Sequence, residues 1–355
     1  MMNMTESLNE KRAAEHLADL LEGMSSVRSV EILHQTAASD TGIDILATFV
    51  RGKSRHSLIV EVKRNAEPAR VRQALWQLEK ATMAYGEKAY PILAAPYISP
   101  ASQQICRDNG VGYIDFVGNA YLAVGGLEID HRTDAKPKAE ERALRSLFKP
   151  KAAAILHVML GAPEHRWRVG ELAEKAGVSA GHASQVGQQL RQREWAEQSS
   201  EGLWLSDPSA LLDSWQDEYD VPAGEHVQLY THLHGAELQE AARSIIGDIP
   251  RANVLFASFS AAEWIAPFAR TGRTYFYADE HGFRELYTRL DLRSAPKGAN
   301  IDIRVPNDSI VFQAKTTLEN GLQITNPIQT YLDLTTAGER GREAAAHLRE
   351  EALQW

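Results

Sequence analysis

One cysteine, Cys106, is all the thiol that the 355 residues contain. A disulfide framework is therefore excluded, and the composition fits a reducing cytoplasm. On an amphipathic helical pattern, Cys106 is expected to be a buried structural thiol rather than a nucleophile. Long apolar runs are missing too, since no stretch approaches the roughly 18 residues that a membrane span needs. The opening residues lack the basic and apolar segments of a secretion signal. The 12 histidines are scattered and make no Cys/His metal cluster, and no internal repeat or low-complexity tract is present. Net positive charge is lacking as well. At −9 the chain cannot coat nucleic acid by bulk attraction, so such binding depends on local patches. With 44% hydrophobic and 24% charged residues, the composition is that of a globular protein long enough for two or three domains.

Two apolar runs broken by carboxylates are the most informative feature. Residues 42–50 and 57–63 have strand length and strand composition, and the basic, Gly-containing stretch 51–56 between them predicts a hairpin. Alternation places Glu61 and Lys63 on one face, with Val62 pointing away. Asp44, near the start of the first strand, then lies beside the end of the second. Two carboxylates and a lysine there suit a hard divalent cation, Mg²⁺ or Mn²⁺, held by Asp44 and Glu61 with water and substrate phosphate. Lys63 would orient or deprotonate the attacking water and offset charge on the phosphate. The alternative is a half-buried hairpin with a solvated Glu61–Lys63 face. Against it, Asp44 and Glu61 interrupt apolar runs where a plain core strand excludes charge.

The pattern Asp44, Glu61-x-Lys63 resembles the P-D-(D/E)-x-K superfamily, with Gly42-Ile43 before the aspartate in place of proline. The resemblance runs over roughly residues 10–130: a first helix through Glu15, a helix at 70–84, a strand at 90–96, a helix at 99–108, and strands at 112–116 and 121–124. It implies a restriction-endonuclease-like α/β fold and cleavage of DNA. It also implies an acidic residue on the first helix, Glu15 ahead of Glu10, and a polar residue on the next helix, Gln73 or Gln77.

Charge is distributed to match. Between residues 51 and 80, Arg51, Lys53, Arg55, Lys63, Arg64, Arg70, Arg72 and Lys80 face only Glu61, Glu67 and Glu79. Of these, Arg51, Lys53, Arg55, Arg64 and Arg70 are expected to hold phosphates around the metal site. Residues 132–150 read as a second basic stretch, a linker carrying Lys136, Lys138, Arg142, Arg145 and Lys149.

Past the linker, Lys149-Pro150 predicts a helix start. A short helix ending at Gly177, a turn holding Val178, and a cap at Ser179 predict a helix-turn-helix. Ala183, Val186 and Leu190 fall at core spacing on the second helix. Two short strands at 195–205 complete a winged helix over 151–206. The outward face of the candidate recognition helix offers His182, Ser184, Gln185, Gln188 and Arg191, side chains able to read base edges. Packing or dimerisation is the alternative role.

Residues 207–355 predict an α+β domain, with strands near 227–233, 254–257, 274–278 and 301–305. Asp279-Glu280 do not make a nucleotidyltransferase pair, because adjacent strand residues face opposite sides and no Gly-Ser turn precedes them. This domain is read as non-catalytic, serving packing or partner contact. Residues 145–151, the helix-turn-helix segment, and Asn326-Pro327-Ile328-Gln329-Thr330-Tyr331-Leu332-Asp333-Leu334 resemble the AbiEi-like type IV antitoxin family. That likeness implies operon repression through the winged helix and a nucleotidyltransferase-like toxin as partner; in the family pattern the winged helix usually comes first, whereas here a nuclease-like domain precedes it.

The expected chain is thus multidomain: an α/β restriction-endonuclease-like domain (1–131), a basic linker (132–150), a winged helix-turn-helix (151–206) and an α+β C-terminal domain (207–355). DNA is the expected partner, a homodimer is open, and a toxin would dock on the C-terminal domain. Two function classes remain, a Mg²⁺-dependent deoxyribonuclease acting against foreign DNA and a non-catalytic repressor or antitoxin.

Overall fold

A computed structural model describes residues 4–34, 43–85, 89–248, 252–268, 271–294, 297–313 and 315–355. Gly42, which precedes the predicted first strand's aspartate, and the opening three residues lie outside these. The chain divides into two compact units, one of residues 1–143 with 190–194 and one of residues 144–189 with 195–355.

The first unit begins with helix α1 (Met4–Glu22) and strands β1 (Val27–His34), β2 (Ile45–Arg51) and β3 (Ser54–Val62). Helix α2 (Pro68–Tyr85) leads to β4 (Ala89–Ala95), and α3 (Pro100–Asp108) to β5 (Gly112–Asp115). Strands β6 (Ala120–Val124) and β7 (Leu127–His131) follow, then helix α4 (Lys138–Leu147). The expected linker is therefore helical over ten of its residues, with Glu140 and Glu141 in the first turn and Arg145 in the last, as a helix dipole favours.

All seven strands form one mixed sheet in sequential order, with β3, β4 and β5 parallel and the outer pairs antiparallel. The parallel centre is buried on both faces, which is why β4 reads as an unbroken apolar run through Ile92, Leu93, Ala94 and Ala95. Ala13, Leu17 and Leu21, four residues apart on α1, pack on one face with Ile45, Leu58 and Val60. Val71, Ala74, Leu78 and Ala81 of α2 pack on the other with Ile59 and Leu93, beside the fully buried Cys106 of α3. Burial pushes the Cys106 thiol up to about 12, so it stays protonated. Leu17→Ala would cost about 2–5 kcal/mol through the cavity left where α1 meets the sheet.

The β2–β3 hairpin is tighter than the sequence suggested. Arg51 pairs with Ser54, leaving a two-residue turn of Gly52 and Lys53. Gly52 takes φ +61°, at the position where a II′ turn demands glycine.

The second unit contains α5 (Pro150–Leu160), α6 (Val169–Lys175) and α7 (Ala180–Gln192) as far as Gln189, then the ribbon β8 (Ala196–Gln198) and β9 (Leu203–Leu205). Pro150 sits at the start of α5. Gly177, at φ +64°, turns the chain between α6 and α7, and the Ser179 hydroxyl accepts the His182 N–H at 3.3 Å. Ala183, Val186 and Leu190 are buried.

Helix α8 (Pro208–Asp217) leads to β10 (Gly224–Tyr230), α9 (Gly235–Asp248), β11 (Val254–Phe256) and α10 (Ser258–Ile265). Strand β12 (Thr274–Ala278), α11 (Glu280–Arg289), β13 (Arg293–Ser294) and β14 (Ile301–Pro306) come next. The chain closes with α12 (Ile310–Gln313), β15 (Lys315–Thr317), β16 (Gln323–Thr325), α13 (Pro327–Thr335) and α14 (Gly338–Ala352). A second mixed sheet has the order β13-β10-β14-β12-β11-β16-β15. Asp279 caps α11 by accepting the Gly282 N–H at 2.6 Å, a structural use of the carboxylate. Asn326 caps α13 in the same way, with Pro327 in its first turn. Among the described residues no helix is long and apolar enough to cross a membrane.

Candidate functional site

The hairpin register determines the site. Ile45 pairs with Val60 at the end of the ladder, and Asp44 immediately precedes that pair. The register shifts by one residue there, since the Asp44 N–H also turns to Val60, donating to its carbonyl at 3.2 Å. The Val62 N–H donates to Asp44 Oδ2 at 2.7 Å, which fixes the aspartate against β3. Held there beside Val62, Asp44 is close enough for its charge to act on Glu61.

Lys63 Nζ lies 2.5 Å from Glu61 Oε1 and donates to Gln77 Oε1 at 2.8 Å. Gln77 thus joins α2 to the end of β3. Glu61 is only 6% exposed. Burial raises its carboxyl above the usual range, the Lys63 hydrogen bond pulls it back, and the charge of Asp44 raises it again.

A cavity of about 430 Å³ opens at this strand end. Asn9, Glu10, Asp44, Glu61, Val62, Lys63, Arg64, Asn65, Arg70 and Gln73 line it. Three carboxylates and three basic side chains thus share one space. Arg70 also lies 3.7 Å from Glu67. Asn65 Oδ1 is buried without a hydrogen-bond partner, a polar atom at the wall that has yet to be satisfied.

Of the carboxylates on α1, the structure brings Glu10 to the cavity and not Glu15. Glu15 is exposed and lies 3.9 Å from Lys11. The reason is helical phase: Glu15 is two residues from both Ala13 and Leu17, about 200° around from the buried stripe. Gln73 lines the cavity and Gln77 holds Lys63, so both glutamines are placed there. Asn9, which is buried, and Asn65 were not foreseen. Asn65 continues the alternation Glu61, Lys63, Asn65, which is the signal that could have found it.

The basic turn is elsewhere. Lys53 is eight residues from Glu61 along β3, about 26 Å at strand rise. Arg51, Lys53 and Arg55 therefore do not surround the carboxylates, contrary to the sequence expectation. Arg51 donates to the Gly125 carbonyl at 2.5 Å, and Arg55 lies 3.8 Å from Glu31. Only Arg64 and Arg70 of the expected phosphate-holding residues line the cavity.

Ser184, Gln185, Gln188 and Arg191 are exposed along α7. His182 departs from the expected outward set: it has its Nε2 enclosed and lacking a hydrogen-bond partner.

A second polar cluster lies inside the second unit. Asp333 Oδ1 accepts from the Tyr219 hydroxyl at 2.6 Å, the Tyr277 hydroxyl at 2.9 Å and Gln329 Nε2 at 2.9 Å. Its Oδ2 is buried without a partner. Burial lifts the Asp333 carboxyl to about 6 despite those three donors, and it lifts both tyrosines well above their usual range. His157 of α5, also buried, sits 3.3 Å from Asn326 Nδ2, and burial lowers its imidazole to about 4. Sequence reasoning missed this cluster, whose members are brought together only by the fold.

Among the described residues no group of three or more His, Cys, Asp or Glu is arranged to hold a metal ion. The donors that converge in the first unit are Asp44 and Glu61, which line the same cavity. Oxygen-only donors that repel one another fit a hard divalent cation, which a lysine alone neutralises incompletely.

Residues 204–354 match a family described as a transcriptional regulator, AbiEi antitoxin, of a type IV toxin–antitoxin system. The Asn326–Leu334 segment falls inside that match; residues 145–151 and the helix-turn-helix fall outside it. No curated protein matches the chain. Among solved structures, an EndoMS complex with double-stranded DNA is similar at 20% identity and a TM-score of 0.25. That likeness covers 33% of this chain and 46% of the other. A repair endonuclease from Pyrococcus abyssi is similar at 17% identity and a TM-score of 0.24, over 33% and 47% of the two chains. The chain spans less than half the length of these structures.

Proposed function

We propose that the chain binds DNA and that its first unit hydrolyses DNA phosphodiester bonds with Mg²⁺ or Mn²⁺. The observation that carries this reading is the placement of Asp44 and Glu61 on one cavity, with Lys63 held between Glu61 and Gln77. A plain hairpin has no physical reason to bury Glu61 with a second, half-buried carboxylate beside it at a cavity, since neighbouring like charges repel and burial costs a carboxylate its hydration. Asp44 and Glu61 would hold the metal, which supplies charge neutralisation and a more acidic bound water.

The chain's own groups do the remaining work. Lys63, steadied by Gln77, orients the attacking water and keeps Glu61 ionised. Arg64 and Arg70 hold the phosphate oxygens against the repulsion of Glu10, Asp44 and Glu61. Helices α5–α7 and the β8–β9 ribbon act as a winged helix that places the protein on DNA, with Gln185, Gln188 and Arg191 reaching base edges. The deciding measurement is cleavage of single-stranded, duplex and branched DNA in Mg²⁺ or Mn²⁺, with EDTA as control. Cutting that is lost in EDTA and in Asp44→Asn supports the reading; intact DNA in every condition rejects it.

The family match over 204–354 favours a second reading, a non-catalytic repressor or antitoxin that uses the winged helix on its own operator and the C-terminal sheet to meet a toxin. Sequence-selective binding without cleavage, together with co-purification of a neighbouring toxin, is the result that reading requires. On either reading, copies of the chain could pair on a palindromic site, which sedimentation with and without DNA would show.

A further inference from the structure

A second cavity, of about 110 Å³, lies within the second unit. Its walls come from two distant stretches: His157 and Lys175 on α5 and α6, and Gln313, Lys315 and Asn326 around α12, β15 and the start of α13. None of the lining residues is acidic. Ala154, Val158, Ala176 and Ile310 supply the apolar remainder, so two lysines border a small space of mixed polarity that has no carboxylate on its walls.

The partners of these groups sharpen the point. Lys315 Nζ donates to a neutral acceptor, Gln323 Oε1, at 3.1 Å, so its charge is not cancelled there. Lys175 makes no ion pair among the described residues. On the wall, Asn326 spends its Oδ1 capping α13 and turns Nδ2 toward His157. That cap places the positive end of a nine-residue helix beside the lysines. Burial keeps His157 neutral, so it adds no third charge. A buried water needs about 10–15 Å³ of such space, so the cavity has room for several, or for one compact oxyanion.

We propose that this cavity binds a phosphate group, free or as the end of a small phosphorylated ligand, between Lys175 of α6 and Lys315 of β15. Bound there, the anion ties the first helix of the helix-turn-helix to the C-terminal sheet through two charge-assisted hydrogen bonds. The site is independent of the carboxylate cavity in the first unit and of whether that cavity cuts DNA.

Calorimetric titration of the full chain at constant ionic strength, with inorganic phosphate and separately with AMP, tests the proposal. The expected result is saturable one-to-one binding of at least one of them, weakened about tenfold or more by Lys175→Gln and by Lys315→Gln. Lys175→Arg should retain binding, and Lys11→Gln, on the surface of the first unit, should leave it unchanged. Binding of AMP alone would assign the phosphate to a larger ligand; binding of both would assign it to the group itself. Both lysines are exposed at the rim, so their loss should leave the circular-dichroism melt of the unliganded protein in place. Absence of saturable heat with either probe, or equal affinity in the two glutamine variants and the parent, overturns the proposal.

Discussion

Asp44 is held by the Val62 N–H beside Glu61 at the end of the hairpin ladder, and the two carboxylates repel. The repulsion is a standing cost at the pH where both are ionised. Asp44→Asn keeps an oxygen for the Val62 N–H and removes the charge. It should stabilise the metal-free protein by up to about 1 kcal/mol, the scale of one cross-strand side-chain pair. The same change should abolish cleavage and the rise in melting temperature that Mg²⁺ or Mn²⁺ gives the parent. Paired urea and thermal melts with and without EDTA check this; a destabilised apo variant would contradict it.

Lys63→Ala should act in the opposite sense on stability. Glu61 is buried and Lys63 is its ion-pair partner, so the truncation leaves a carboxylate enclosed and unpaired. A loss of about 1–3 kcal/mol at neutral pH is expected, with cleavage down at least about 10²-fold. Because the Glu61 carboxyl is already raised, the cost should be largest above its folded value and fade as pH falls below its unfolded one. Adding Glu61→Gln to the variant should restore most of the stability and none of the activity.

Positioning and chemistry should separate on DNA. Neutralising Arg51, Lys53 and Arg55 together should weaken binding to every sequence and flatten its salt dependence by about 0.9 for each phosphate no longer neutralised. Because that turn is about 26 Å from Glu61, cleavage of saturating DNA should be little changed. Substituting Gln185, Gln188 and Arg191 should cost about 1–3 kcal/mol on a preferred sequence and little on random DNA. Equal losses on all sequences would assign α7 to packing or dimerisation instead.

Asp333 and His157 should oppose each other in acid. Asp333 rises from 3.8 to about 6 on folding, so its cost is full above pH 6 and gone below 3.8. Acidification through that window stabilises the fold by this group. His157 falls from 6.5 to about 4, so the unfolded chain takes up its proton first and acidification through 6.5 to 4 destabilises the fold. Each is worth about 3 kcal/mol at the usual 1.36 kcal/mol per pH unit, and they overlap between pH 4 and 6. Asp333→Asn should therefore expose a steep acid loss that the parent hides, read from denaturation midpoints between pH 7 and 4.

The carboxylate pair and Lys63 were legible because strand alternation needs only the local sequence. Choosing Glu10 over Glu15 was not, since one helix carries both and only its packing against Ile45, Leu58 and Val60 says which face looks inward. The place of the basic turn was misjudged through strand length: β2 and β3 run on to Arg51 and Ser54, which carries the charges away from the site. Strands β13, β15 and β16, two or three residues each, are too short to show a period. The Asp333 cluster joins residues 56 and 114 positions apart, and no window along the chain contains it.

The two sheets also differ in when they can be finished. Every neighbour in the first is a neighbour in sequence, so its strands can be laid down one after another as the chain is synthesised. The second cannot: β11 waits for β16, with Phe256 pairing Ile324, and β10 waits for β13 and β14. A chain ended near residue 310 and released would hold a completed first sheet and a second one with β11 bare along one side. Such an uncovered strand invites pairing with another chain, so premature termination late in the message should yield aggregates rather than a shortened but tractable protein.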